Sequence, residues 1–272
     1  MENTKNFARD IRVSVIKMLN NLGFGHYGGS LSVVETLAVL YNDVMKYDPK
    51  NPLDENRDYF VLSKGHAGPA LYSALALKGF FDVNELMSLN VNGTNLPSHP
   101  DRLKTKGVDV TTGSLGQGIS IASGIAKGLK IQKKDNKVFC IIGDGEAQEG
   151  QVWEAMQFIA HNNLNNMVIF IDYNKQQLDG YLEDILKPYS FEDKARSFGL
   201  DSLTVKGYDV EAIYNAIKSQ KDKPLVIVLD TIKGQGVKFI EEFKGNHHIR
   251  PSVEVKKQLE EIVEKLERGY DV

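Results

Sequence analysis

The chain has 272 residues, of which 42% are hydrophobic, enough for a substantial core in one large α/β unit or two small ones. A formal charge of −3, with 33 Lys and Arg spread along the chain, excludes the basic stripe that nucleic-acid binding requires. The single cysteine, Cys140, excludes an intrachain disulfide framework and a cysteine metal cluster, and its place in the apolar run 138–142 predicts a buried strand thiol.

The N-terminus mixes charged and apolar residues, and no apolar run approaches the ~20 residues of a membrane span, so a cytoplasmic protein without membrane contact is expected. Ile11, Val15, Met18, Leu19 and Leu22 recur at helical spacing until Gly23 and Gly25 stop the helix. A glycine-rich loop at 25–30 follows. Ser32 and Glu35 have the S-x-x-E spacing of a capping box, and Val34, Leu37, Ala38, Tyr41 and Met45 predict one apolar helical face beyond it. The run 59–62 reads as a buried strand delivering Ser63, Lys64, Gly65 and His66, and Leu71 and Leu75 resume a helix. Runs 138–142, 167–171 and 225–229 are apolar without alternation, as strands covered on both faces are. Helices are predicted at about 151–162 and 210–219, with a charged amphipathic helix after Pro251. The whole, 1–272, predicts one doubly wound α/β domain with a mainly parallel sheet, helices on both faces, and ligands at the carboxyl ends of its strands.

Two strand tips carry oxygen ligands. Asp144 follows the strand ending at Ile142, and Asn174 closes the next one 30 residues later, room for a crossover helix that sets the strands side by side. Asp144 and Asn174 can then face one ion. Mg²⁺ suits such a site, since it takes few protein oxygens and completes its octahedron with phosphate and water. Gly145 lets a phosphate approach the backbone closely. Each segment also has a purely structural reading: Gly143, Asp144 and Gly145 make an ordinary turn, and Asn174 an Asx-turn.

Together with the downstream sequence 175–180, Lys-Gln-Gln-Leu-Asp-Gly, these tips resemble the thiamine diphosphate motif of transketolases. The likeness runs along almost the whole chain, through Gly25-His26, Ser63-Lys64-Gly65-His66, Pro97-Ser98-His99-Pro100 and the glycine-rich segment 112–118. That last segment, read alone, is equally a helix start packed closely on its neighbours; it lacks the G-x-G-x-x-G order of a dinucleotide fold. The resemblance implies thiamine diphosphate and Mg²⁺ as cofactors. By it Asp144, the Asn174 side chain and the Gln176 carbonyl would hold the metal. His66, Gly113, Ser114, Leu115, Gly145, Glu149, Asn174 and His248 would contact the cofactor, and His26, His99 and His248 would serve catalysis. His247 and His248 compete for one family position; the distance to Pro251 favours His248, and an alignment shifted by one selects His247. Glu149 has an alternative role as a helix-start residue, and His161, late in a helical pattern, is expected outside the site.

Transketolases carry a second, pyrimidine-binding domain that this chain ends before, and Tyr27-Gly28-Gly29 stands where the common family loop has proline, as in two-chain transketolases. The expectation is therefore an N-terminal subunit of a split transketolase. It would move a two-carbon ketol unit from a ketose phosphate to an aldose, only with a separate C-terminal, pyrimidine-binding subunit, in an α₂β₂ assembly. Other thiamine diphosphate enzymes (a 2-oxoacid dehydrogenase or deoxyxylulose phosphate synthase) and a non-catalytic binding protein stay open as alternatives.

Overall fold

A computed structural model describes residues 1–243 and 245–270. The first helix, α1, spans Glu2–Leu22 and buries Ile11, Val15, Met18 and Leu19, as their spacing predicts. Gly23 ends it in the left-handed region, its N–H donating to Leu19 O at 2.9 Å. Two short helices follow, α2 (Tyr27–Leu31) and α3 (Val34–Val39), and α3 continues into one wider turn, Leu40–Val44, before the chain extends at Met45. The predicted helical face thus breaks before Met45. The capping box does not form either: the residue before α3 is Val33, and Ser32 and Glu35 turn inward to tertiary partners.

Strand β1 (Tyr59–Leu62) leads into α4 (Gly68–Leu77), and α5 (Gln117–Ile131) precedes β2 (Val138–Gly143). Helix α6 (Gly150–His161) crosses to β3 (Met167–Tyr173). Beyond them lie α7 (Leu182–Ile185), α8 (Phe191–Ser197), β4 (Asp201–Lys206), α9 (Val210–Lys218), β5 (Leu225–Asp230), α10 (Lys238–Glu241) and α11 (Val253–Glu267). The five strands form one parallel sheet in the order β1-β2-β3-β5-β4. Alternate residues feed two cores. Phe60, Phe139, Phe170 and Ile227 join the side chains of α1, α3, α4 and α9, while Val61, Cys140, Ile169 and Val226 meet α5, α6 and α8. Both faces are covered, as the unbroken apolar runs predict.

Sequence reading gives four of the strands and passes over β4. At this edge β4 is covered only in part, unlike the other edge strand β1, so Asp-Ser-Leu-Thr-Val-Lys carries no continuous apolar run to mark it. Among the described residues, no helix is long and apolar enough to cross a membrane.

Candidate active site

Because all five strands are parallel, their carboxyl ends gather at one edge of the sheet. There Lys64 follows β1, Asp144 follows β2, Asn174 follows β3 and Lys233 follows β5. They meet His26, His66, His99 and His247 around a cavity of about 470 Å³. Register places Gly143 of β2 opposite Asp172 of β3, so Asp144 and Asn174 project from neighbouring strands.

A fully buried carboxylate, Asp172, organises the cavity's edge. It accepts from Ser32 Oγ at 2.7 Å, Thr231 Oγ1 at 2.6 Å and Asn174 Nδ2 at 2.9 Å, and it pairs with the Lys64 ammonium. Burial alone would raise its pKa; the Lys64 charge and these donors outweigh burial and hold it below the ordinary value. A carboxylate accepts only, so the amide NH₂ of Asn174 must face Asp172. Asn174 Oδ1 is thereby presented on the other side, where it takes the Gln176 N–H at 3.2 Å.

Asp144 is 2% exposed and accepts from Gly145 N at 2.8 Å and Lys175 N at 2.6 Å. Burial, and then the neighbouring Asp172 charge, push its carboxyl up to about 7. Opposite it, Lys233 Nζ donates to the carbonyls of Gln176 at 3.2 Å and Gln177 at 3.3 Å, and burial, then Lys64, bring this amine down to about 8. The histidines pack ring to ring: His26 lies 5.5 Å from His66, 6.1 Å from His99, 5.2 Å from His247 and 5.0 Å from His248. Burial, followed by the charges of their cationic neighbours, lowers His26 to about 4 and His247 to about 3, and takes His66 well below its usual value. Burial also lowers His99. Neutral imidazoles at neutral pH can accept protons from hydroxyl groups.

A profile of the family described as "Transketolase, thiamine diphosphate binding domain" matches residues 3–259. The chain belongs to the transketolase family. It is 46% identical over 251 residues to the 6-deoxy-6-sulfo-D-fructose transketolase subunit SqwG of Clostridium sp. (strain MSTE9), covering 91% of each chain. It is 35% identical over 264 residues to an apulose-4-phosphate transketolase subunit of Phocaeicola vulgatus, covering 94% of each. The transketolase of Campylobacter jejuni superimposes with a TM-score of 0.90 at 29% identity, over 100% of this chain and 43% of that one. The chain therefore spans less than half the length of that solved transketolase.

Within this transketolase fold, the residues implied by resemblance separate into two groups. His26, His66, His99, Gly113, Leu115, Asp144, Gly145, Glu149, Asn174 and Gln176 all line the cavity. Glu149 is also the residue preceding α6, where its side chain makes no capping hydrogen bond. Ser114 is exposed and outside the cavity wall. The wall contains His247; His248 instead packs between Phe24 and His26. Spacing from Pro251 carries no information on ring direction, and the structure brings the shifted candidate, His247, into the cavity. His161 lies in the last turn of α6, outside the cavity wall.

Lys64 and Lys233 in the cavity wall, and Asp172 at its edge, are not among the site residues that the resemblance implies. Lys64 lies within the Ser63–His66 motif, and Lys233 sits in the glycine-rich loop 231–237 after an apolar strand, so the strand-tip signal that finds Asp144 could have found both. Asp172 gives no such signal, because its role depends on Ser32, Lys64 and Thr231, which only folding brings to it.

Among the described residues, no three His, Cys, Asp or Glu side chains converge to make a protein metal cage. The oxygens at the strand tips are one carboxylate, one amide oxygen and one backbone carbonyl, hard donors too few to enclose an ion but of the kind Mg²⁺ takes beside phosphate and water. Each already accepts an N–H within the chain, the Gln176 carbonyl from Lys233, so an ion held there would share or displace those donors. The charges fit as well. A cation beside Asp144 and an anion beside Lys233, whose amine meets only carbonyls among its described partners, would each offset charge held in low dielectric, while Lys64 is already paired with Asp172.

Proposed function

We propose that this chain is the thiamine diphosphate-binding subunit of a two-chain transketolase, a single domain that works in the cytoplasm with a separate pyrimidine-binding chain. The observation that carries this reading is the convergence of Asp144, Asn174, Lys64, Lys233 and the histidines on one cavity at the carboxyl ends of the strands. Asp144, Asn174 Oδ1 and the Gln176 carbonyl would hold Mg²⁺, and Lys64, Lys233, His66 and His247 would face the diphosphate. Bound there, thiamine diphosphate supplies the electron sink for cleaving and transferring a two-carbon ketol unit. His26 and His99 would bind sugar hydroxyls and move protons, a role open to them because burial keeps their rings neutral.

The named relatives act on a sulfonated or a phosphorylated sugar, so a ketose with an anionic terminus is the proposed substrate class. The identity to the sulfofructose enzyme makes 6-deoxy-6-sulfo-D-fructose the first donor to assay. Both relatives are named as subunits, which supports a partner for this chain. Exposed apolar side chains would be available to meet one: Leu178, Tyr181, Leu186 and Tyr189 follow the site's strand tips, and Ile121 and Ile131 lie on α5. The test is to co-purify the partner from the native cell and assay ketol transfer with each chain and with both. Turnover only in the mixture is expected; substantial turnover by this chain alone overturns the two-chain reading.

A further inference from the structure

The two residues with capping-box spacing have both been drawn into tertiary structure, and Glu35 leads to the active-site loop. Its Oε1 pairs with Arg12 of α1, both side chains buried, and its Oε2 accepts from Gln235 Nε2 at 3.1 Å, 200 positions away. Gln235 Oε1 in turn takes the N–H of Ile232 at 3.4 Å, which closes the loop 231–237 on itself. Gly236 (φ +79°) lies against the same guanidinium: a β-carbon there would sit 2.6 Å from Arg12 Cζ. Lys233, 2% exposed, stands between these anchors and a second pair on its other flank. There Asn246 Nδ2 donates to Lys233 O at 3.0 Å and Gly234 N donates to Gly28 O at 3.0 Å.

We propose that Glu35 is a positioning residue for the cofactor site, fixing through Gln235 the loop that delivers Lys233 to the cavity. A buried ion pair stabilises a fold little, because desolvation offsets the attraction; it does give its members a fixed direction. Arg12 holds one oxygen of Glu35, and the other is left aimed at Gln235. Lys233 has glycine at 234 and 236 and a buried amine bonded only to carbonyls among its described partners, so an untethered loop would release that amine to water. This role for Glu35 rests on the proposed meeting of Lys233 with the diphosphate.

The test uses the full chain without cofactor. Gln235→Leu keeps the volume and the Arg12–Glu35 pair and removes only the link; Gln235→Asn, one methylene short, is a second variant should the first not fold. Hydrogen exchange followed by mass spectrometry should show amides 232–237 exchanging at least about tenfold faster, with β2 and β3 unchanged. An amine-reactive label should reach Lys233 while Lys64, 1% exposed, stays protected. Wild-type exchange and labelling overturn the proposal, and so does loosening spread evenly over α1, α3 and the sheet, which marks a general structural role. Failure here leaves the cofactor reading standing, since that reading fails separately if Asp144→Ala binds thiamine diphosphate normally.

Discussion

At the scale of single residues, the proposed function divides the cavity lining into groups that would hold the cofactor and groups that would handle substrate. Asp144→Ala and Asn174→Ala each delete one of few protein oxygens available to Mg²⁺. Either should weaken Mg²⁺-dependent thiamine diphosphate binding by about 100-fold or more, the upper range for metal-site changes, in a calorimetric titration of the assembled enzyme. Asp144 also sets a pH dependence. Its carboxyl, raised to about 7, must lose a proton to ligate a cation, so Mg²⁺ affinity should fall about tenfold per unit as pH drops below 7. The sign for stability is the reverse: a raised carboxyl favours the fold when protonated, so this group's contribution declines as pH rises from the unfolded value toward 7. His26→Ala and His99→Ala should keep near-normal cofactor affinity and lose on the order of 10²–10⁴ in turnover, with His161→Ala near wild type. Wild-type kcat/KM in the first two, or cofactor loss as complete as in Asp144→Ala, would remove the division of labour.

At the scale of elements, α5 presents two glycines with opposite demands. Gly118, in its first turn, lies against the end of β1: a β-carbon there would meet Ser63 Cα at 2.6 Å. Close packing of that helix against the strand tip keeps Ser63, Lys64 and the Gly113 loop in place. Gly124 has nothing within 4 Å of such an atom. Gly118→Ala should therefore cost about 1–3 kcal/mol by overpacking. Gly124→Ala should stabilise the isolated chain by about 0.5–1 kcal/mol through helix propensity. Urea denaturation of both variants checks the pair, and equal effects would place the helix differently on the sheet. The glycine-rich segment 112–118 thus walls the cavity at Gly113 and makes a close packing contact at Gly118.

At the scale of the molecule, the sheet gathers Lys64, Asp144, Asn174 and Lys233 at one edge, and exposed apolar side chains such as Leu178 and Tyr181 follow it. The proposed assembly has two copies of each chain, so light scattering of the active complex should give an α₂β₂ mass; a mass of one copy each would contradict it. Cofactor that binds the folded assembly stabilises it by mass action, about 2.7 kcal/mol at 100 times Kd. Chelation and dialysis should accordingly lower its Tm, with recovery on adding both thiamine diphosphate and Mg²⁺.

The sequence by itself determined the parallel α/β architecture, because strands covered on both faces must be apolar throughout, and runs 138–142, 167–171 and 225–229 are. It also determined Asp144 and Asn174 as neighbours, since a crossover of that length sets consecutive strands side by side, and it marked the histidine loops by order and glycine content. Only the tertiary structure put His247, and not His248, in the cavity wall, because adjacent residues in a loop share composition and differ in the direction of a ring. It likewise turned Ser32 and Glu35 from a local cap into partners of Asp172 and Gln235, residues 140 and 200 positions away. Local spacing records what a side chain can reach within its own helix turn. A buried hydroxyl or carboxylate is claimed by the stronger partner that folding brings to it, and that partner leaves no trace in the neighbouring sequence.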